Sequence, residues 1–157
     1  MVKLIASFFY LGYLPLAPGT LAGWAGMGVY LLLNFFAPGF IPEKVKEIKL
    51  IYVIFLAIFF LAGIYFAGRG EKVWQQKDSP FIVIDETFSF FLTMFCLPFS
   101  AKLIAVGFLL NRFFDIVKPY PAHRLEKISG GWGVMLDDVV AGVYSNLVLR
   151  LLLRLLS

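Results

Sequence analysis

Long apolar stretches govern what this chain can fold into. Four of them, Thr20 to Phe36, Ile48 to Ala67, Phe81 to Leu97 and Ala101 to Val117, approach the ~20 residues that carry an α-helix across the hydrocarbon core of a bilayer, and a fifth runs from Val134 to Leu156. That core offers no water to backbone amides, so segments of this kind are satisfied as helices packed together. Composition agrees. Hydrophobic residues make up 61% and charged residues 15%, with a mean hydropathy of +0.86, against ~45–50% and ~25% in soluble domains. A water-soluble globule of this size would lack the polar residues to cover itself. The expected fold is therefore all-α, one polytopic membrane-embedded bundle over residues 1–157 with about four to five transmembrane helices. Val2 to Leu14 is too short to cross and is expected to form an interfacial or re-entrant helix. It has the lysine and short apolar run of a signal peptide, but no small-residue cleavage pair follows, and Pro15-Leu16-Ala17-Pro18-Gly19-Thr20 reads as a structured turn.

Alternating sides along these spans places the Pro15 to Thr20 turn with the connections Gly68 to Pro80 and Lys118 to Gly133 at one face. The connections Ala37 to Glu47 and Pro98 to Ser100 and the C-terminus fall at the other. Seven lysines and arginines on the first face against six on the second favour the first as cytoplasmic. The net charge of +4 is scattered, without a basic run or a nucleic-acid motif, and is better matched to membrane orientation and lipid headgroups. Cys96, the only cysteine, excludes an internal disulfide.

The acidic residues divide in two. Glu43, Glu47, Glu71, Asp78 and Glu126 lie in polar connections and read as solvated surface charge. Asp85, Glu86, Asp115, Asp137 and Asp138 lie inside or at the mouths of apolar segments, where a charge costs at least ~2.5–3.5 kcal/mol and marks a cavity, a partner or an ion. All five fall at helix ends on the first face. Unopposed, they would repel one another, so cations must sit among them. Arg112, Asp115 and Lys118, spaced i, i+3, i+6, share a helical face, with Asn111 four residues before Asp115. Two cations do not balance five anions. A hard divalent ion does, and an all-carboxylate donor set without a His or Cys cluster points to Mg²⁺, or Mn²⁺ in its place. Gly130-Gly131-Trp132-Gly133, directly before the last helix, suits a phosphate held by backbone N–H groups.

A lattice of buried ion pairs locking helices together would explain some of these charges, but not the excess of carboxylates. Cation holders beside anion binders describe a site for phosphate on metal. Other phosphatase chemistries lack their residues: Cys96 lies at the far end of its segment, and His123 is the only histidine, in a polar stretch. Metal-assisted hydrolysis of a phosphomonoester is the economical reading, with Asp137 or Asp138 preferred as the group that deprotonates water and Asp115 beside them. A small ion or proton pathway is the alternative from another class, since intramembrane carboxylates also mark such routes. It would spread acids through the membrane depth instead of gathering them at one face.

The segments Leu14-Pro15-Leu16-Ala17-Pro18-Gly19-Thr20, Ile82-Val83-Ile84-Asp85-Glu86, Asn111-Arg112-Phe113-Phe114-Asp115-Ile116-Val117-Lys118-Pro119-Tyr120-Pro121 and Gly130-Gly131-Trp132-Gly133-Val134-Met135-Leu136-Asp137-Asp138-Val139-Val140-Ala141-Gly142, in that order, resemble the phosphatidylglycerophosphatase A family. The resemblance implies a multi-pass enzyme of the bacterial inner membrane. It would release the terminal phosphate of phosphatidylglycerophosphate at the cytoplasmic side, with Mg²⁺ required. The family's acidic motif residues fall on Asp85, Glu86, Asp115, Asp137 and Asp138, its basic ones on Arg112 and Lys118, and its Pro-Gly-Thr on Pro18, Gly19 and Thr20. One departure is Ser89, where the family usually has glycine; serine is also small, so close helix packing is expected to survive there.

Overall fold

A computed structural model describes residues 1–14, 18–37 and 46–156. Among these residues there are seven α-helices and no strand: α1 (Val2–Ala6), α2 (Pro18–Phe36), α3 (Lys46–Trp74), α4 (Ile84–Thr93), α5 (Ala101–Val117), α6 (Ala122–Leu125) and α7 (Gly131–Leu156). The Pro15 to Ala17 part of the expected turn and most of the Ala37 to Glu47 connection lie outside the described residues. Pro18 opens α2 at its first position, where its fixed φ suits a helix and its missing N–H goes unused.

Two helices are long and apolar enough to cross a membrane, over Gly19–Phe36 and Leu50–Trp74. The second corrects an expected boundary. The helix does not stop at Ala67 but continues through Arg69, Glu71 and Lys72 to Trp74, because a polar turn can project beyond an apolar core without ending the helix.

The larger correction concerns Phe81 to Leu97, expected as one span. Only Ile84–Thr93 is regular helix, about 15 Å at 1.5 Å per residue, which is half the thickness of a hydrocarbon core. Beyond it Cys96 takes a left-handed conformation (φ 53°). The carbonyls freed there are satisfied from α7: Asn146 Nδ2 donates to the carbonyls of Thr93 (2.8 Å) and Phe95 (2.9 Å), and Arg150 Nη2 donates to that of Phe95 (2.8 Å). Arg150 Nε in turn donates to Asn146 Oδ1 at 2.7 Å. A helix that ends in an apolar surround requires such partners.

α4 is the centre of the molecule, packed against α2, α3, α5 and α7. Eight of its ten residues are buried, so it meets protein on all sides. Phe88, Phe90, Phe91 and Met94 join Tyr30, Tyr52, Leu56, Phe108, Met135 and Leu149 in the core. Polar contacts add to this packing. Ser89 Oγ donates to the Asp138 carbonyl of α7 (2.8 Å) and accepts from Asn111 Nδ2 of α5 (2.6 Å), which also reaches Thr93 Oγ1 (3.0 Å). The departure at Ser89 therefore ties three helices together. Glycines set the closest approaches. A Cβ on Gly131 would meet the backbone of Ile64 and Gly68 in α3, and one on Gly142 would lie 2.9 Å from the Ser89 carbonyl.

The N-terminal segment is short helix, then left-handed backbone at Phe8, Phe9 and Tyr10, then a 3-10 turn over Leu11–Tyr13. It packs onto the strip preceding α4. Val83 N–H donates to the Ala6 carbonyl (3.0 Å), the Tyr13 ring stacks on Phe81 at 4.8 Å, and Trp74 Nε1 donates to the Tyr13 hydroxyl (3.1 Å).

Candidate active site

Three helices deliver charged side chains to one end of the bundle, and a fourth begins beside them. α4 carries Asp85 and Glu86 in its first turn, where the unsatisfied N–H groups of a helix start favour anions. α5 carries Arg112 and Asp115 near its end, and Lys118 leaves that helix in a left-handed conformation (φ 44°) with its N–H on the Phe114 carbonyl. α7 supplies Asp137 and Asp138, and the start of α2 supplies Gly19.

These residues surround a cavity of about 210 Å³ lined by Gly19, Asp85, Glu86, Asp115, Lys118 and Asp137, with Asp78, Ser79, Pro80 and Ile82 closing its side. Arg112 Nη2 lies 2.7 Å from Asp115 Oδ2 and 3.9 Å from Glu86 Oε1, bridging α5 to α4. The ion pair with Asp115 is off hydrogen-bond alignment, so Arg112 Nε and Nη2 are buried without a hydrogen-bond partner. Lys118 Nζ sits 2.8 Å from Asp137 Oδ2 and 3.3 Å from Glu126 Oε2. Burial works against the charged form of this ammonium, yet the hydrogen bond it donates to Asp137 and the charges of Asp137 and Glu126 outweigh it and hold the lysine pKa above its ordinary value. Lys118 is a fixed cation.

Gly19 explains how a helix start comes so close. A Cβ there would overlap Glu86 Oε1 and stand 3.0 Å from Arg112 Nη1. Only glycine lets the first turn of α2 rest against this pair.

On the acid side the account is unbalanced. Asp85 Oδ1, Glu86 Oε2, Asp137 Oδ1 and Asp138 Oδ1 are all buried without a hydrogen-bond partner. Buried carboxylate oxygens left this way are strongly unfavourable unless a cation or ligand takes them up. No group of three or more His, Cys, Asp or Glu among the described residues encloses a metal ion by itself. The set fits a hard cation held by one or two carboxylates, with water and a ligand's phosphate oxygens completing the shell.

Most of the residues singled out from sequence thus meet at one cavity. Asp138 stands behind its wall, on the same turn of α7 as Asp137, and interacts electrostatically with Asp115, Asp85 and Arg112. Thr20 follows Gly19 half-buried, and Pro18 stands one residue before Gly19 at the start of α2. The glycine loop does not join them. Gly131 packs on the α3 backbone, and Gly130, left-handed at φ 78°, turns the chain into α7; neither lines the cavity. Their glycine character serves a helix crossing and a turn. Two acids expected as solvated charge belong to the site: Asp78 lines the cavity and Glu126 pairs with Lys118. Ser79, buried beside Asp78, was marked by no signal in the sequence. His123 is exposed, in keeping with a surface role.

Comparison with known proteins places this constellation. A Haemophilus influenzae protein named phosphatidylglycerophosphatase A is 35% identical over 94% of this chain and 85% of its own length. An Escherichia coli K12 protein of the same name is 31% identical over 90% and 77%. A Bacteroides thetaiotaomicron protein, provisionally named a phosphatidylinositol-3-phosphatase, is 32% identical over 93% and 89%. No solved structure matches the chain. The family described as phosphatidylglycerophosphatase A matches residues 4–153, and since that span holds every helix end that meets at the cavity, this chain belongs to the phosphatidylglycerophosphatase A family.

Proposed function

We propose that the chain is a Mg²⁺-dependent lipid phosphatase that removes the terminal phosphate of phosphatidylglycerophosphate, giving phosphatidylglycerol and inorganic phosphate. In this reading it crosses the bacterial cytoplasmic membrane about four to five times, with the cavity at the cytoplasmic face. The observation that carries the proposal is the pairing of buried carboxylate oxygens without partners at the cavity with an arginine that has unused donors directly behind its lining residues Glu86 and Asp115. The first need a cation and the second needs an anion. A phosphomonoester bound with a divalent ion answers both.

Asp85 and Glu86 would hold the ion, with Asp137, Asp138 and Asp115 around them, and the ion would neutralise phosphate oxygens and make water a stronger nucleophile. Arg112 binds the phosphoryl group through Nε and Nη2, while Asp115 and Glu86 fix the plane of the guanidinium. Lys118 holds one oxygen of Asp137, leaving Oδ1 to accept the proton of the attacking water. The oxygen of that water bonds to phosphorus, the bond from phosphorus to the glycerol oxygen breaks, and the departing oxygen takes a proton from solvent. The helix starts of α2 and α4 favour the negative charge gathering in transfer.

The test is phosphate release from phosphatidylglycerophosphate by the purified protein in detergent, with Mg²⁺ and after chelation. Asp137→Asn and Asp138→Asn should abolish turnover while the protein stays folded, and turnover that survives chelation would overturn the proposal. The Bacteroides relative favours a second headgroup, so phosphatidylinositol-3-phosphate belongs in the same assay, where preferential hydrolysis would reassign the substrate. An ion pathway is disfavoured because the acids gather at one end while Asn146 and Arg150 occupy the other. Ion flux in liposomes would restore it.

A further inference from the structure

An apolar groove of about 430 Å³ runs between α2 and α5, beginning about one to two helical turns from Gly19 and Asp115, the residues of these helices that line the polar cavity. The two helices lie antiparallel and in register. Gly19 approaches Arg112 at the cavity. Five residues along α2 and four back along α5, the Trp24 and Phe108 rings meet at 5.2 Å, about 6–8 Å below at 1.5 Å per residue. The groove then continues past Met27 to Leu31 on one wall and past Ala105 to Ala101 on the other. Its lining is almost entirely apolar and it opens sideways, away from the bundle core. Gly23 makes room at its mouth, since a Cβ there would stand 2.9 Å from the Phe108 ring.

We propose that this groove holds an acyl chain of the phosphate-headed lipid and that α2 and α5 thereby select chain length, an inference that rests on the lipid phosphatase reading above. The occupant follows from continuity. A phosphoryl group bound by Arg112 beside Gly19 delivers whatever is attached to it onto the same two helices, and the surface they offer next is a trough of apolar side chains with two alanines along its α5 wall. A second apolar groove, lined by Val29, Leu33 and Ile58 among others, begins ten residues beyond Gly19 on α2, about 15 Å down, but takes in Thr87 next to Glu86 and is therefore the competing seat that the test has to separate.

Ala105 and Ala101 are exposed and stand at different depths, so filling the groove at each reads out as a ruler without disturbing the core. Wild type, Ala105→Phe, Ala101→Phe and Ile58→Trp, the last in the second groove, are assayed on phosphatidylglycerophosphates from dihexanoyl to dioleoyl in mixed micelles of fixed detergent content. Ala105→Phe should lower kcat/KM for dioleoyl substrate by about tenfold or more, the scale of lost apolar contacts, while dihexanoyl turnover stays at the wild-type value. Ala101→Phe should impose the same loss only at longer chains, and Ile58→Trp should match wild type at every length. Equal losses at all lengths, no loss at any, or a length cut-off in Ile58→Trp would each overturn the groove assignment. Wild type that releases no phosphate from any length would bring down the phosphatase reading beneath it, an outcome distinct from the other three.

Discussion

Replacing Gly19 by alanine adds a single methyl group at the point where α2 touches the site. The new Cβ would overlap Glu86 Oε1 and lie 3.1 Å from Glu86 Cδ and 3.0 Å from Arg112 Nη1. Both neighbours are ends of flexible side chains, so the backbone of α2 can stay while Glu86 swings away. An off-rotamer Glu86 costs about 0.5–1.5 kcal/mol, and alanine returns up to about 1 kcal/mol of helix propensity. The two nearly cancel, and Tm should move by no more than about 4 °C. Activity should not survive so well. Displacing a carboxylate from the cavity by about 1 Å is worth about 100-fold in rate, or about 2.7 kcal/mol of barrier. The assay pairs a thermal melt in detergent with phosphate release from phosphatidylglycerophosphate. A variant with full activity would refute the argument that the close approach of α2 shapes the site, and a variant that fails to fold would refute the argument that only side chains have to give.

The opposite balance is expected at Gly131. There an added Cβ meets backbone atoms of Ile64 and Gly68, α3 and α7 must separate, and Gly131→Ala should lose about 1–3 kcal/mol of stability, seen as a fall in Tm with activity lost only in proportion to unfolding. Asn146→Leu removes two hydrogen bonds to the end of α4 and strands Arg150 Nε. It should cost about 2–4 kcal/mol, read as a lower melting temperature. Arg112→Lys keeps the charge but loses the planar fork that spans Asp115 and Glu86; kcat/KM should drop about 10–100-fold with Tm little changed, and retention of full activity would mean that charge alone suffices.

Much of the site was legible because charge in an apolar segment is conspicuous. Asp85, Glu86, Asp115 and Asp137 each stood out against their neighbours, and the cavity gathers all four. Asp78 and Glu126 were invisible for the converse reason: each is surrounded by polar residues, and only the folding of two connections onto Lys118 and the cavity gives them a role. Of the helices, α5 matches the expected Ala101 to Val117 because proline lies just outside each end. The early end of α4 left no local trace, since the groups that terminate it, Asn146 and Arg150, lie some fifty residues away in sequence. The glycines at Gly130 and Gly131 suggested room for a phosphate, and nothing local pointed to another backbone. What approaches, the backbone of α3, is a tertiary fact.

The short central helix also fixes how the molecule responds to its surroundings. α4 hangs inside the bundle like a plug, clamped to α7 at its lower end by Asn146 and Arg150 and again midway by Ser89 on the Asp138 carbonyl. When a bilayer thickens or thins, helices that span it answer by tilting, and α2 and α3 are long and apolar enough to be such helices. α4, about 15 Å long, is too short to span a hydrocarbon core, so in a bilayer it would follow α7 instead. The relative height of Asp85 and Glu86 against Asp137 and Asp138 is thereby set within one clamped helix pair, insulated from the thickness of the host membrane.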